Sequence, residues 1–167
     1  MKKIISLALA ALLTASLCAC GPKQEKQVDL AAFAQTVQQN HEFSGFLQRV
    51  DPEDEEMGEL MAQMLDMDYP GLSDLELEQM EVYMLMISFS GGELALVQVK
   101  DAADAARVKD IFDARVASKS TEGPGNYPEE AELWQRSAKV ASNGSYIMLV
   151  AHEDSAAIVS EFNALFK

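Results

Sequence analysis

Apolar residues in this chain fall into three successive patterns, and each predicts a different kind of element. From Ile4 to Leu17 they form a run without a charge. From Asp29 to about Leu65 they recur at three- and four-residue spacings. Leu30, Phe33, Ala34 and Val37 share one face of a helix from Leu30 to about Asn40, with Asp29 as its cap. Met57, Leu60, Met61, Met64 and Leu65 mark a second amphipathic helix. It is opened by Asp51-Pro52 and the acids Glu53 to Glu56, and Tyr69-Pro70-Gly71 breaks it. Between the two, Phe43, Phe46, Leu47 and Val50 fit either a short helix or an extended link.

From Val82 the period becomes that of a strand. Val82 to Phe89 is a continuous β-prone run, Ser90-Gly91-Gly92 a turn, and Leu94 to Val99 the return strand. Asp101 caps a helix from Ala102 to about Ser118, with Ala105, Val108, Ile111, Phe112 and Val116 inward. A loop at 121–126 leads to a short helix at Pro128 carrying Leu133 and Trp134. The pattern then returns. Ser137 to Ala141 is a strand, Asn143-Gly144 a type I′ turn signal, and Tyr146 to Val150 the partner strand. Asp154 or Glu153 caps a last helix with Ala157, Ile158, Phe162 and Leu165.

This order predicts an α+β fold: a four-stranded antiparallel sheet from a ββαββα pseudo-repeat, with helices packed on it, preceded by N-terminal helices. The layout is that of a circularly permuted ferredoxin-like sheet, with both repeat helices on one face. The N-terminal helices then cover the other face or an edge. Val97 and Leu149 become equivalent strand positions, Phe112 and Phe162 equivalent helix positions, and all four are expected to be buried. The Val82–Phe89 run is apolar at both parities, so that strand should be covered on both sides.

The first apolar run has another purpose. Lys2 and Lys3 precede it, and it is shorter than the roughly 20 residues a membrane-spanning helix needs. It ends in Leu17-Cys18-Ala19-Cys20 followed by Gly21, which reads as a lipobox. The expected organisation is a signal peptide at 1–19, an acylated Cys20 with a polar tether to residue 28, and one domain at 29–167. The expected location is the extracytoplasmic face of the cell membrane, held by lipid through Cys20.

Charge narrows the partners. The 167 residues carry 13 Lys+Arg against 27 Asp+Glu, a net −14, and losing Lys2 and Lys3 makes the mature body more acidic still. Such a surface is repelled by nucleic acid and anionic headgroups. The expected partners are membrane lipid through Cys20 and an unidentified protein or cell-wall component, with no nucleic acid. The two cysteines are Cys18 and Cys20, so the domain has neither a disulfide nor a thiol nucleophile.

Several stretches together resemble a known family. They are ELALVQVKDAADAARVKDIFDAR at 93–115, Tyr127-Pro128-Glu129-Glu130, and NGSYIMLVAHEDSAAIVSEFNALF at 143–166, set behind a lipobox and an acidic helical segment. This resembles the domain of unknown function 4358 family of small bacterial lipoproteins, common in Bacillota, from about residue 29 to the end. The resemblance implies an envelope location and domain bounds, and no chemistry.

Candidate chemistry is sparse. Met57, Met61, Met64 and Met67, with Met80, Met84 and Met86, offer thioethers to Cu(I), but their spacing is that of a core stripe. The acidic run from Asp51 to Glu59 lacks the spacing of a Ca²⁺ loop. His41 and His152 stand alone in sequence, without HxxxH or HxH, and read as solvated or locally bonded. There is no G-x-S-x-G, no P-loop and no dinucleotide fingerprint. No catalytic residue, cofactor or metal site is therefore expected. Tyr127 and Trp134, beside a Gly/Pro loop, are the candidate ligand contacts, against the plainer reading that Trp134 fills the core. The leading expectation is a non-enzymatic binding or accessory module. The alternatives are an envelope enzyme with a dispersed active site and a methionine-based Cu(I) protein.

Overall fold

A computed structural model describes residues 26–43, 45–85, 92–121 and 127–167. The signal, the lipobox and Cys20 lie outside these residues, as do Met86 to Gly91, where the first hairpin turn was expected. Among the described residues no helix is long and apolar enough to cross a membrane.

Among the described residues the chain is mixed α and β, with five α-helices and a five-stranded antiparallel sheet. Helix α1 (Leu30–Asn40) starts as expected: the Asp29 carboxylate accepts from the Ala32 N–H at 2.9 Å. The ambiguous segment after it resolves as a strand, β1 (Leu47–Arg49), paired along β2 (Leu77–Leu85). This is the fifth strand that the four-stranded expectation lacked. Three residues are too few to show a period, and the pairing is supported from β2, whose Glu81 holds Arg49 at 2.9 Å.

Helix α2 (Gly58–Asp68) starts at Gly58, several residues after Pro52. The acids before it do not populate a first helical turn. Asp51 accepts from the Glu53 N–H, and Asp54 accepts from the N–H groups of Glu56 and Met57. These local bonds compete with helix and hold 51–57 as turns. Met57 and Leu60 therefore point to solvent, and Met61 and Leu65 carry the inward stripe. Gly58 sits where the turn closes. A Cβ there would lie 2.5 Å from the Pro52 carbonyl oxygen.

Strand β3 (Glu93–Val99) leads through a 3₁₀ turn, Ala102–Asp104, into helix α3 (Ala105–Lys119). Helix α4 (Pro128–Ser137) runs into β4 (Ala138–Asn143), then β5 (Tyr146–Ala151) and helix α5 (Ser155–Ala164). Asn143 pairs with Tyr146, so the turn centre is Gly144-Ser145. Of these two residues Gly144 alone has a positive φ, at 58°, which is the type II′ pattern and corrects the expected I′ turn.

The strand order is β1-β2-β3-β5-β4. Its β2-β3-β5-β4 part accords with the permuted ferredoxin-like expectation, but the helices do not. On one face, Met61, Leu65, Val108, Phe112 and Trp134 pack on Val82, Ala95, Val97, Ile147 and Leu149. On the other, Leu30, Phe33, Val37, Ile158 and Phe162 pack on Leu94, Leu96, Tyr146, Met148 and Val150. Helices α3 and α5 thus lie on opposite faces, and Phe112 and Phe162 are not equivalent, although both are fully buried, as are Val97 and Leu149. The reason is width. Strands about 4.8 Å apart make a five-stranded sheet roughly 20 Å wide, about two helix diameters. Every residue of β3 and β5 is buried, so both faces need cover. Helix α1 cannot supply it alone, and α5 joins it.

Candidate functional site

Helix α3 buries the stripe Val108, Phe112 and Arg115. The first two are core residues by type, and the third is a cation. Arg115 Nε donates to Glu93 Oε1 at 3.1 Å, Nη2 to Glu93 Oε2 at 2.8 Å, and Nη1 to Asp68 Oδ1 at 2.6 Å. The Tyr69 hydroxyl donates to Glu93 Oε1. The guanidinium lies 5.5 Å from the Tyr69 ring centre and 5.8 Å from that of Trp134. Burial is the largest single influence and disfavours the Arg115 cation, but the charge and hydrogen bonds of Glu93, with Tyr69 and Asp68, together outweigh it and hold the group above its ordinary range. Burial, reinforced by Glu93, pushes the Tyr69 phenol well above 10. One cation, bonded through all three of its nitrogens, therefore ties α2, α3 and β3 together beneath Trp134.

This network forms one wall of a groove of about 720 Å³ between the end of α2 and the outer face of α3. Met67, Pro70, Arg107, Ile111 and Lys119 line it. Met67 is 72% exposed and presents apolar surface at the groove's rim. Lys119 pairs with Glu130 of α4, so three helices meet around the groove. The groove thus sets charged walls beside an exposed methionine thioether.

The candidate residues from sequence are dispersed. Tyr127 is about half exposed at the start of α4, whereas Trp134, on the same helix, is 1% exposed and offers no face to an external ligand. Among the described residues its Nε1 has no hydrogen-bond partner. Met61 and Met84 lie in the core, with Met64 and Met80 packed against it. The two histidines, isolated in sequence, come together: their ring centres are 5.9 Å apart. The Arg115 network was missed, although a charge on an apolar helical stripe and a glutamate opening a largely apolar strand were both readable signals.

The class this fold defines is a small domain of mixed α and β structure. The Domain of unknown function (DUF4358) family matches residues 51–152, and the chain belongs to that family. The match runs from the turns before α2 to the end of β5 and includes the whole Arg115 network, but neither α1 nor α5. No curated protein and no solved structure matches the chain.

Proposed function

We propose that this chain is an extracytoplasmic lipoprotein, anchored through acylated Cys20, whose domain is a non-enzymatic binding or accessory module. The observation that carries the reading is Leu17-Cys18-Ala19-Cys20 behind a charged and then apolar leader. The rest agrees with it. Both cysteines fall in that motif, and no disulfide is needed for a domain with two well-filled cores. The acidic body stays off anionic headgroups on its tether. The groove beside Met67 is the face that meets a protein or cell-wall neighbour.

The test has two arms. In the first, Cys20→Ser should abolish lipid labelling and release the protein from membranes, because stable anchoring needs the two chains of a diacylglyceryl group. Unchanged labelling would reject the anchor. In the second, a photo-crosslinker at Met67 in the native envelope should capture a discrete partner that a crosslinker at Thr36, on α1, does not. Equal capture at both positions would reject the groove as the contact face.

A further inference from the structure

We infer that His41, His152 and Asp154 form a binding site for a divalent transition metal of the zinc type. Among the described residues these three offer ligand atoms that all lie within 4.8 Å of one another. His41 follows the last residue of α1, and His152 and Asp154 lie between β5 and α5, so the fold builds the cluster from distant parts of the chain.

The geometry around His41 carries the inference. Its Nδ1 is 3.2 Å from Asp154 Oδ2, and its Nε2 is 3.2 Å from Glu161 Oε1. A neutral imidazole has one N–H and can satisfy one of these carboxylates. The other contact is lone pair against lone pair unless a second positive species lies there, a proton or a metal ion. With Nε2–H given to Glu161, that place is between Nδ1 and Asp154. The separation suits a metal: bonds of about 2.0–2.1 Å in a tetrahedron set ligands roughly 3.3 Å apart.

The outer partners are those that metal-binding histidines use. Glu161 orients His41 through Nε2, and the Glu42 carbonyl accepts from His152 Nε2 at 3.0 Å. In both rings the proton is then on Nε2 and the lone pair on Nδ1. The Asp154 N–H already selects that form of His152, donating to its Nδ1 at 2.9 Å. A metal ion would take over this lone pair from the amide. The Phe43 ring, 4.5 Å from His152, closes one side with apolar surface. Both histidines are 8% exposed, whereas the Asp154 side chain is largely open, so an ion enters over Asp154.

Charge favours a cation on balance. The C-terminal end of α1 presents its negative pole at His41, and Asp154 and Glu161 add two carboxylates. The N-terminal end of α5 opposes, and Asp154 lies directly on it. Two imidazoles and one carboxylate select zinc, nickel or copper(II) over calcium and magnesium, which prefer all-oxygen cages. Three protein ligands leave a fourth position for water or a partner's side chain. His41, Asp154 and Glu161 fall outside the family match, so the site is a property of this chain independent of the groove and the lipid anchor.

The experiment uses the full-length protein, purified in detergent and stripped with chelator. Titration with ZnCl₂ should show one tight equivalent, raise the melting temperature and survive excess Mg²⁺ or Ca²⁺. In the unmodified protein, the NMR resonances of both imidazoles should move together at one equivalent. His41→Asn and His152→Asn should each remove the tight site, and Glu161→Gln should weaken it roughly 10–100-fold. Glu53→Gln, in the acidic run, should not change it. Absence of a stoichiometric site would overturn the inference, as would imidazole resonances unmoved by zinc. So would affinity unaltered in folded His152→Asn or Glu161→Gln.

Discussion

Arg115 and Glu93 face each other through two parallel hydrogen bonds, of 3.1 and 2.8 Å, with 8% and 4% of their side chains exposed. The pair joins the middle of the sheet to α3 in a place where most proteins would put two apolar residues. Its desolvation cost is offset by further bonds: Asp68 accepts from the third guanidinium nitrogen, and the Tyr69 hydroxyl donates to Glu93.

Arg115→Met should therefore destabilise the domain by about 3–5 kcal/mol, because it strands the Glu93 carboxylate in the core. The double change Arg115→Met/Glu93→Leu should recover part of that loss. Denaturant unfolding of the two singles and the double reads the coupling. Strictly additive losses would show that the pair is not a unit.

Legibility from sequence followed the length of each periodic segment. Helix α1, the stripe of α3, and the strands β3 and β5 were readable because several apolar residues repeat in each. Strand β1 was not, with three residues and one inward side chain. The early part of β2 was not, because its Gln79 and Glu81 look like loop. In the fold Gln79 bonds the Leu30 N–H, the Val28 carbonyl and Gln98, and Glu81 holds Arg49 and Tyr83. The side of the sheet that each helix takes depends on sheet width, which no local pattern encodes. The histidine cluster joins residues more than a hundred positions apart, and spacing motifs are blind to that.

The two faces of the sheet make a paired prediction. Phe112 and Phe162 are each fully buried, in separate clusters. Phe112→Ala and Phe162→Ala should each cost about 3–5 kcal/mol. Because the sheet separates the sites, the double variant should lose close to the sum. A marked departure from additivity in equilibrium unfolding would mean that the clusters are not independent.

Gly58 gives a steric prediction. Its backbone approaches Pro52 so closely that an added methyl meets the carbonyl oxygen at 2.5 Å. In an open helix Gly→Ala gains up to about 1 kcal/mol. Here Gly58→Ala should reverse that sign and lose about 1–3 kcal/mol, since the turn at 51–57 must shift. A Gly58→Ala domain more stable than the parent in thermal melts would refute the close approach.

Alkaline pH should weaken the fold through two tyrosines. Burial, then its hydrogen bond to Glu81, pushes Tyr83 up to about 12, against a smaller opposing pull from Arg49. Tyr69 is also raised well above its ordinary value, chiefly by burial and then by Glu93. In the unfolded chain both phenols ionise near 10. Below that pH both states keep their protons, and these groups add no pH dependence. Between pH 10 and about 12 the folded state holds protons that the unfolded state has released, so unfolding free energy must fall as pH rises. Denaturant midpoints measured across that window should decline steadily. Tyr83→Phe should shallow the decline without removing it, because Tyr69 still contributes. A slope unchanged in that variant would show that Tyr83 ionises alike in both states.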